Sequence, residues 1–455
     1  MFFVEIIEVP GLGNRGYLAG GADTAVVVDP PRDIDRVLAH AARRGVRISH
    51  VVETHLHNDY VTGGLELARV TGAAYLVPAG ARVSFARLPV ADGDTVTVDA
   101  GLTLRAVATP GHTPHHLSYV LSEDDSPVAA FTGGSLLIGT VGRPDLVEPR
   151  LTGALAREQH ASARRLAEQL PDETRVLPTH GFGSFCSASS AGAETDSSTI
   201  GQEKRVNDAL LRDVDTFVRE LLAELGDIPA YYAHMGPLNA AGPAPVDLTP
   251  PATADAEEIA GRLAAGEWVV DLRHRVAFAE GHVAGSFNIE GEGQLATYLA
   301  WLIPWGKPVT LLAESAEQLA AAQRELVRVG IDRPAAAATG DPDGWVREGE
   351  SLATYPRATF ADLAAKPSDP GTVVLDVRRN AERATGYLEG STHIPIHELP
   401  RRVHEVPPGT VWVHCAGGMR AATAASLLDA AGREVVAIDD PFDAAEATGL
   451  RLVTP

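Results

Sequence analysis

His55 and His57 stand two apart, Asp59 follows, and Gly111-His112 and Thr179-His180 echo them downstream. Imidazoles and a carboxylate at this spacing suit iron, zinc, copper or nickel, with the carboxylate either binding metal or positioning a water beside it. The preceding run Ile48-Ser49-His50-Val51-Val52 reads as a strand, and a strand ending there delivers both imidazoles to one cleft by its two-residue period. Cys415 suggests a second chemistry. A thiolate that attacks sulfur and carries it as a persulfide needs a lowered pKa and a lining of donors. Cys415-Ala416-Gly417-Gly418-Met419-Arg420 offers backbone N–H groups at the start of a helix over 421–428, glycines for tight curvature, and the Arg420 charge for an anionic sulfur substrate. Cys186 follows His180 closely enough to accept or relay sulfur at the metal cleft, and a structural thiol is an equal alternative.

The elements that must position these groups read as α/β. Short apolar runs such as Ala25-Val26-Val27-Val28 and Leu102–Val107, bounded by Gly, Asp and Pro, alternate with helical patterns such as 34–40. An amphipathic helix is expected around 210–225, followed by a Pro/Gly-rich interdomain linker over 236–245. A new domain then starts near Thr249. Beyond it, Val270-Asp271-Leu272-Arg273 through Gly281 and Gly285 recurs as Leu375-Asp376-Val377-Arg378 through Gly386 and Gly390, a repeat of domain size at a spacing of roughly a hundred residues. The expected domains are 1–245, 250–350 and 351–455.

The histidine pattern resembles the metallo-β-lactamase superfamily, whose signature is H-x-H-x-D-H followed by a Gly-His, an Asp in a T-G-D segment and a last His. Both later copies resemble rhodanese domains through their D-x-R and G-[HY]-x-x-G-S landmarks. The resemblance implies a metallo-β-lactamase αββα sandwich followed by two rhodanese-like α/β domains. It puts His55, His57 and His112 on a first metal and associates Asp59 and His180 with a second. Two positions depart: Tyr60 replaces the motif's last His, and in Phe131-Thr132-Gly133-Gly134 the metal-bridging Asp has become Gly134. One metal or none is therefore expected, with Asp59 and His180 in the outer shell or on a water. Tyr60 either hydrogen-bonds a metal-bound water or substrate from the vacated site or fills it. Arg143 and Asp145 match a structural loop. Restoring the carboxylate at 134 is expected to strengthen metal binding wherever the loop has room. In the first rhodanese copy Glu314 stands where the cysteine would be, so that copy is read as packing and spacing.

This domain order is similar to that of bacterial persulfide dioxygenase and rhodanese fusions that handle sulfide stress. The resemblance implies a mononuclear Fe(II) that oxidises a low-molecular-weight thiol persulfide with O₂ to sulfite, and a cysteine that passes sulfane sulfur between persulfide, sulfite and thiosulfate. Two alternatives stand beside it. One is a sulfurtransferase whose amino-terminal domain binds persulfide with little or no metal. The other is a Zn(II)-dependent thioester hydrolase of the glyoxalase II type, the weakest reading because two-metal hydrolysis normally uses the bridging Asp.

Composition narrows the partners. With 455 residues and a net charge of −22, the chain repels nucleic acid and anionic membranes. Two cysteines argue against a disulfide scaffold and for a reducing compartment, and Met1-Phe2-Phe3-Val4-Glu5 lacks the basic start of a signal peptide. A cytoplasmic enzyme is expected, and a homo-oligomer is compatible with everything above.

Overall fold

The computed structural model describes residues 2–188, 195–366 and 371–454. It divides into two compact units, Met1–Val246 with Val327–Gly330, and Asp247–Leu326 with Ile331–Pro455. Among the described residues no helix is long and apolar enough to cross a membrane.

The first unit holds two six-stranded sheets. In one, Phe3–Val9, Asn14–Gly20 and Thr24–Val28 pair antiparallel, and Arg47–Val52, Ala74–Pro78 and Leu88–Val90 continue in parallel. The other runs in the order Ser198–Thr199, Arg175–Pro178, Ser126–Gly133, Leu117–Glu123, Leu102–Ala108, Thr95–Asp99. The two-residue period sorts each strand between two cores. Val26, Val28 and Val52 face Leu104, Tyr119, Leu121 and Phe131 between the sheets. Val27 and Val51 point the other way, onto Val37 of the helix Ile34–Arg44 and Leu67 of the helix Gly64–Thr71. On the outer face of the second sheet Val120, Ala130 and Val176 pack on Ala163 and Leu166 of the helix Thr152–Gln169 and on Phe217. Helix, sheet, sheet, helix is the αββα order expected.

Two local expectations change. The helix expected around 210–225 begins at Val214, because the Asp213 carboxylate accepts from the N–H groups of Asp215 and Thr216 and so caps a new helix there. The first six residues of the Pro/Gly-rich passage expected as a linker, 236–241, belong instead to the helix Tyr232–Ala241, with Pro237 inside it and Asn239 buried on it. Asn239 anchors that helix to the loop after His55, as described below.

The second unit contains two parallel sheets. The four-stranded one runs Phe287–Asn288, Trp268–Asp271, Val309–Ala313, Ala336–Thr339. The five-stranded one runs Arg357–Ala358, Val435–Ile438, Thr410–His414, Thr372–Asp376, Thr392–His393. Both repeat copies build the same clamp. Arg273 bonds Asp271 and donates to the carbonyl of Gly281 at 2.6 Å, and Arg378 bonds Asp376 and donates to that of Gly386 at 2.7 Å. The helix Met419–Ala430 is buried along most of its length, and its alanines let it sit between its own sheet and the first copy, where Ser426 Oγ accepts from Asn288 N at 2.9 Å.

Candidate functional site

The strand Arg47–Val52 ends before the histidines, and the chain bends at Thr54 and His55. The two-residue period therefore no longer governs where His55 and His57 point. Asp29, at the end of the strand Thr24–Val28, fixes the bend by accepting from Thr54 N and from Thr54 Oγ1, both at 2.7 Å.

The hydroxyl hydrogen of Thr54 is thus committed to Asp29, so its oxygen accepts from His55 Nδ1 at 2.8 Å. His112 Nδ1 donates to the carbonyl of Arg143 at 2.8 Å, and its Nε2 is buried without a partner. His180 Nδ1 donates to Asn14 Oδ1 at 3.0 Å, beside Asp59 Oδ2 at 3.2 Å. In each ring the outward bond fixes the tautomer and turns the Nε2 lone pair inward, and the Nε2 atoms of His55 and His180 stand 3.4 Å apart. The donors of His55, His112 and His180 converge closely enough to share one ion. Burial, reinforced by the neighbouring imidazoles, holds His55 well below its ordinary value and His112 down to about 3. Three rings turned so that their Nε2 atoms face one point, one of them an orphaned buried acceptor, fit a divalent metal.

This trio differs in one member from the expected His55, His57 and His112. His57 Nε2 lies 3.2 Å from both Glu53 Oε2 and Asp29 Oδ1. Burial opposes a charge on His57, but the two carboxylates outweigh it and raise the ring to about 10. His57 sits in an acidic buried pocket, where Glu53 also accepts from Tyr75 at 2.9 Å and Thr62 at 2.6 Å, and its donors with those of Asp59 and His180 form a second group close enough to share an ion. Asp59 accepts from Asn14 Nδ2 at 2.7 Å and orients His180, and after the cost of burial that imidazole draws the carboxyl well below its usual range. The Tyr60 hydroxyl donates to the Asp29 carbonyl at 3.3 Å, and its ring packs 4.4 Å from that of His57. Asn239 donates to the carbonyls of His57 at 2.9 Å and Tyr60 at 2.8 Å and accepts from Thr62 N at 3.0 Å, which pins the ligand loop from the passage expected to be a linker.

Gly134 leaves no room for a carboxylate. A Cβ there would lie 2.6 Å from Cγ and 2.8 Å from Nε2 of His112, and closer still to Cδ2. The turn is tied down by His116, whose Nε2 accepts from Gly134 N at 3.0 Å, and by Gln159, which donates to Gly134 O at 3.0 Å. Restoring Asp at 134 therefore requires His112 to move, so the room on which the expected gain in metal binding depends is absent with His112 in place. Arg143 bonds Asp145 in a fork at 2.7 and 2.8 Å and holds the carbonyls of Gly226 and Phe185, while its own carbonyl orients His112. Cys186 is fully buried against Asp59 and Tyr232, and burial together with that carboxylate keeps it a thiol.

At the second site Cys415 is buried, and its Sγ accepts from Gly418 N at 3.1 Å and more loosely from Gly417 N at 3.5 Å. Gly418, at φ 94°, turns the loop into the helix Met419–Ala430. Arg420 is not a free charge over the sulfur. Its two Nη atoms each lie 2.6 Å from the two oxygens of Glu382. Burial disfavours that carboxylate, yet Arg420 draws it down to about 2. In the first copy Glu314 is exposed and its N–H is taken by Gln318 at 2.8 Å.

Several site residues carried no signal of their own. Asn14, Asp29 and Asn239 are remote from the motifs in sequence and reach the site through the fold, while Glu53 adjoins the motif and is turned onto His57 by the bend. His116 had one, a histidine four past His112 and just before the strand Leu117–Glu123.

With this geometry in place, comparison defines the class. The metallo-beta-lactamase superfamily profile matches residues 10–180, and that of the rhodanese-like domain matches 255–348 and 359–447. A hydroxyacylglutathione hydrolase of Cereibacter sphaeroides (strain ATCC 17029 / ATH 2.4.9) is 34% identical over 203 residues, 43% of this chain and 73% of that protein. Against the hydroxyacylglutathione hydrolase of Parasynechococcus marenigrum (strain WH8102), 33% identical over 166 residues, 35% of this chain spans 63% of that protein. The mitochondrial persulfide dioxygenase ETHE1 of Homo sapiens is 28% identical over 246 residues, 52% of this chain and 81% of that protein. A crystal structure of a metallo-beta-lactamase from Staphylococcus aureus subsp. aureus COL gives a TM-score of 0.67 at 25% identity, covering 75% of this chain and 99% of that one. The chain belongs to the metallo-beta-lactamase superfamily and joins to that domain two rhodanese-like domains.

Proposed function

We propose that this protein is an enzyme of sulfur metabolism, working in the cytoplasm, that oxidises a low-molecular-weight thiol persulfide in its first domain and moves sulfane sulfur at Cys415. One observation carries the reading: the imidazole donors of His55, His112 and His180 converge in a chain whose other reactive centre is a thiol cradled by backbone N–H groups. The rhodanese-like domains and the persulfide dioxygenase relative support it. A single Fe(II) held by these imidazoles would supply the redox chemistry. The overall change, R–S–SH + O₂ + H₂O → R–SH + sulfite + 2 H⁺, takes four electrons from the outer sulfur to O₂. The protein's part is orientation: Thr54, the Arg143 carbonyl and Asn14 aim the rings, and Asp29, Glu53 and His57 lock the bend beneath them. At Cys415 the thiolate attacks the outer sulfur of thiosulfate. A sulfur–sulfur bond forms on Cys415 as the one in thiosulfate breaks, and sulfite leaves with the electron pair. Run in reverse, the sulfite released by the first domain becomes thiosulfate, and covalent joining of the domains raises its local concentration.

The hydroxyacylglutathione hydrolase relatives favour a second reading, zinc-dependent thioester hydrolysis. Against it, Gly134 removes the carboxylate that would bridge two metals. Metal analysis after anaerobic purification, with oxygen uptake on synthetic thiol persulfides, decides between them. About one iron per chain with O₂ consumed and sulfite released is expected. Two zinc ions with thioester hydrolysis would establish the second reading. Absence of both metal and oxygen uptake, with sulfur transfer intact, would reduce the first domain to a persulfide-binding module.

A further inference from the structure

The loop that cradles Cys415 has an open side and a walled one. Ala416 and Gly417 are exposed, whereas Gly418, whose N–H meets Sγ at 3.1 Å, is buried. The wall is the turn after the strand Val435–Ile438. There Phe442 N donates to the Ala416 carbonyl at 3.0 Å, and Asp439 Oδ1 stands where a Cβ at 418 would be. That carboxylate is gripped from both rhodanese copies: Arg357 of the second donates to Oδ2 at 2.7 Å, and Arg275 of the cysteine-less first donates from Nε to Oδ1, also at 2.7 Å. Glu290 in turn aims Arg275, accepting from its Nη1 at 3.0 Å and from its backbone N at 2.9 Å. Arg275 has no part in the frame of its own copy, which uses Asp271, Arg273 and Gly281, and Asn380 holds the matching place in the second copy.

We propose that Arg275 of the cysteine-less copy is a positioning residue for sulfur transfer at Cys415, acting through Asp439 to hold Gly418 in the turn that keeps its N–H on the sulfur. The inference rests on the sulfurtransferase reading. A glycine is free to leave φ 94° unless a neighbour bars the way. Asp439, locked on both oxygens, is that bar, and a supporting group must itself be fixed if the cradle is to stay in place. The donor comes over the open side, at Ala416 and Gly417, so neither Arg275 nor Asp439 touches it. Their loss therefore slows transfer and leaves donor binding nearly intact. A different contact joins the copies at the far end of the helix Met419–Ala430, where His282 Nε2 lies 3.1 Å from Asp429 Oδ2, and it leaves the loop alone.

The test follows persulfide formation on Cys415 by intact mass as thiosulfate is varied, in full-length R275Q, R275K, D439A, the R275Q/D439A double variant and D429N. R275Q should lower the limiting rate about tenfold while half-saturating thiosulfate stays within about twofold of wild type. R275K, which keeps a charged donor, should recover most of that rate. D439A should cost as much as R275Q, and adding R275Q to it should cost less than about twofold more, because the two residues act through one contact. D429N should stay within about twofold of wild type. An R275Q rate equal to that of wild type overturns the inference and leaves the transferase reading standing. An equal loss in D429N overturns it too, since Arg275 would then merely dock the two copies, and so do losses that multiply in the double variant. Wild type that forms no persulfide removes the transferase reading and the inference together.

Discussion

In the first rhodanese copy three residues, Asp271, Arg273 and Gly281, close into a buried ring of hydrogen bonds, and in the second copy Asp376, Arg378 and Gly386 close the same ring. The copies part company at the next strand-to-helix turn. The second places four residues, Cys415 to Gly418, between the strand Thr410–His414 and the helix Met419–Ala430, enough to curl N–H groups around a sulfur. The first places two, Glu314 and Ser315, between Val309–Ala313 and Ala316–Val327. The frame was kept for stability and the loop for chemistry, and the first copy lacks the cradle as well as the nucleophile.

Four experiments break or sharpen that contrast. Cys415→Ser should reduce thiosulfate-to-cyanide sulfur transfer by roughly a thousandfold or more without changing metal content, since the nucleophile has no substitute. Most of the activity surviving would mean the loop is not the reactive centre. Next in size, Asp271→Ala and Asp376→Ala each strand a buried arginine, so each should lower stability by about 3–5 kcal/mol in chemical denaturation. A cost under about 1 kcal/mol in either would deny that the two frames do the same work.

The third test uses acid. Burial raises Glu382, but Arg420 outweighs it and sets the carboxyl at about 2 against an ordinary 4.5. The unfolded chain therefore takes up the proton first. The pair's contribution is complete above 4.5 and is lost as pH falls from 4.5 toward 2. Melting curves over that range should fall less steeply for Glu382→Gln than for wild type, and parallel slopes would refute the pairing. Smallest of all, Glu314→Cys should add no measurable transfer to a Cys415→Ser background. Any persulfide carried by the new cysteine would show that a two-residue turn suffices.

Much of this was legible in the chain. The H-x-H-x-D run marked the metal cleft, the D-x-R repeat marked two like domains, and the glycines after Cys415 marked an anion-friendly turn. His57 was not legible, because its role turns on a bend after Val52 that brings Asp29 and Glu53 against its ring. Arg420 was read as a substrate charge because its partner Glu382 belongs to another helix, Asn380–Ala384. Prolines and glycines around 236–245 looked like a linker, since composition does not reveal that Asn239 has backbone groups waiting for it.

His112 and position 134 also bear on mutational history. The ring occupies the space an aspartate would need, so a carboxylate enters at 134 only with a shift of the imidazole. Losing an aspartate there meets no such obstacle, whereas regaining one starts from a strained site. The step is therefore expected to be easier in one direction than in the other, and a change that frees His112 should precede any return.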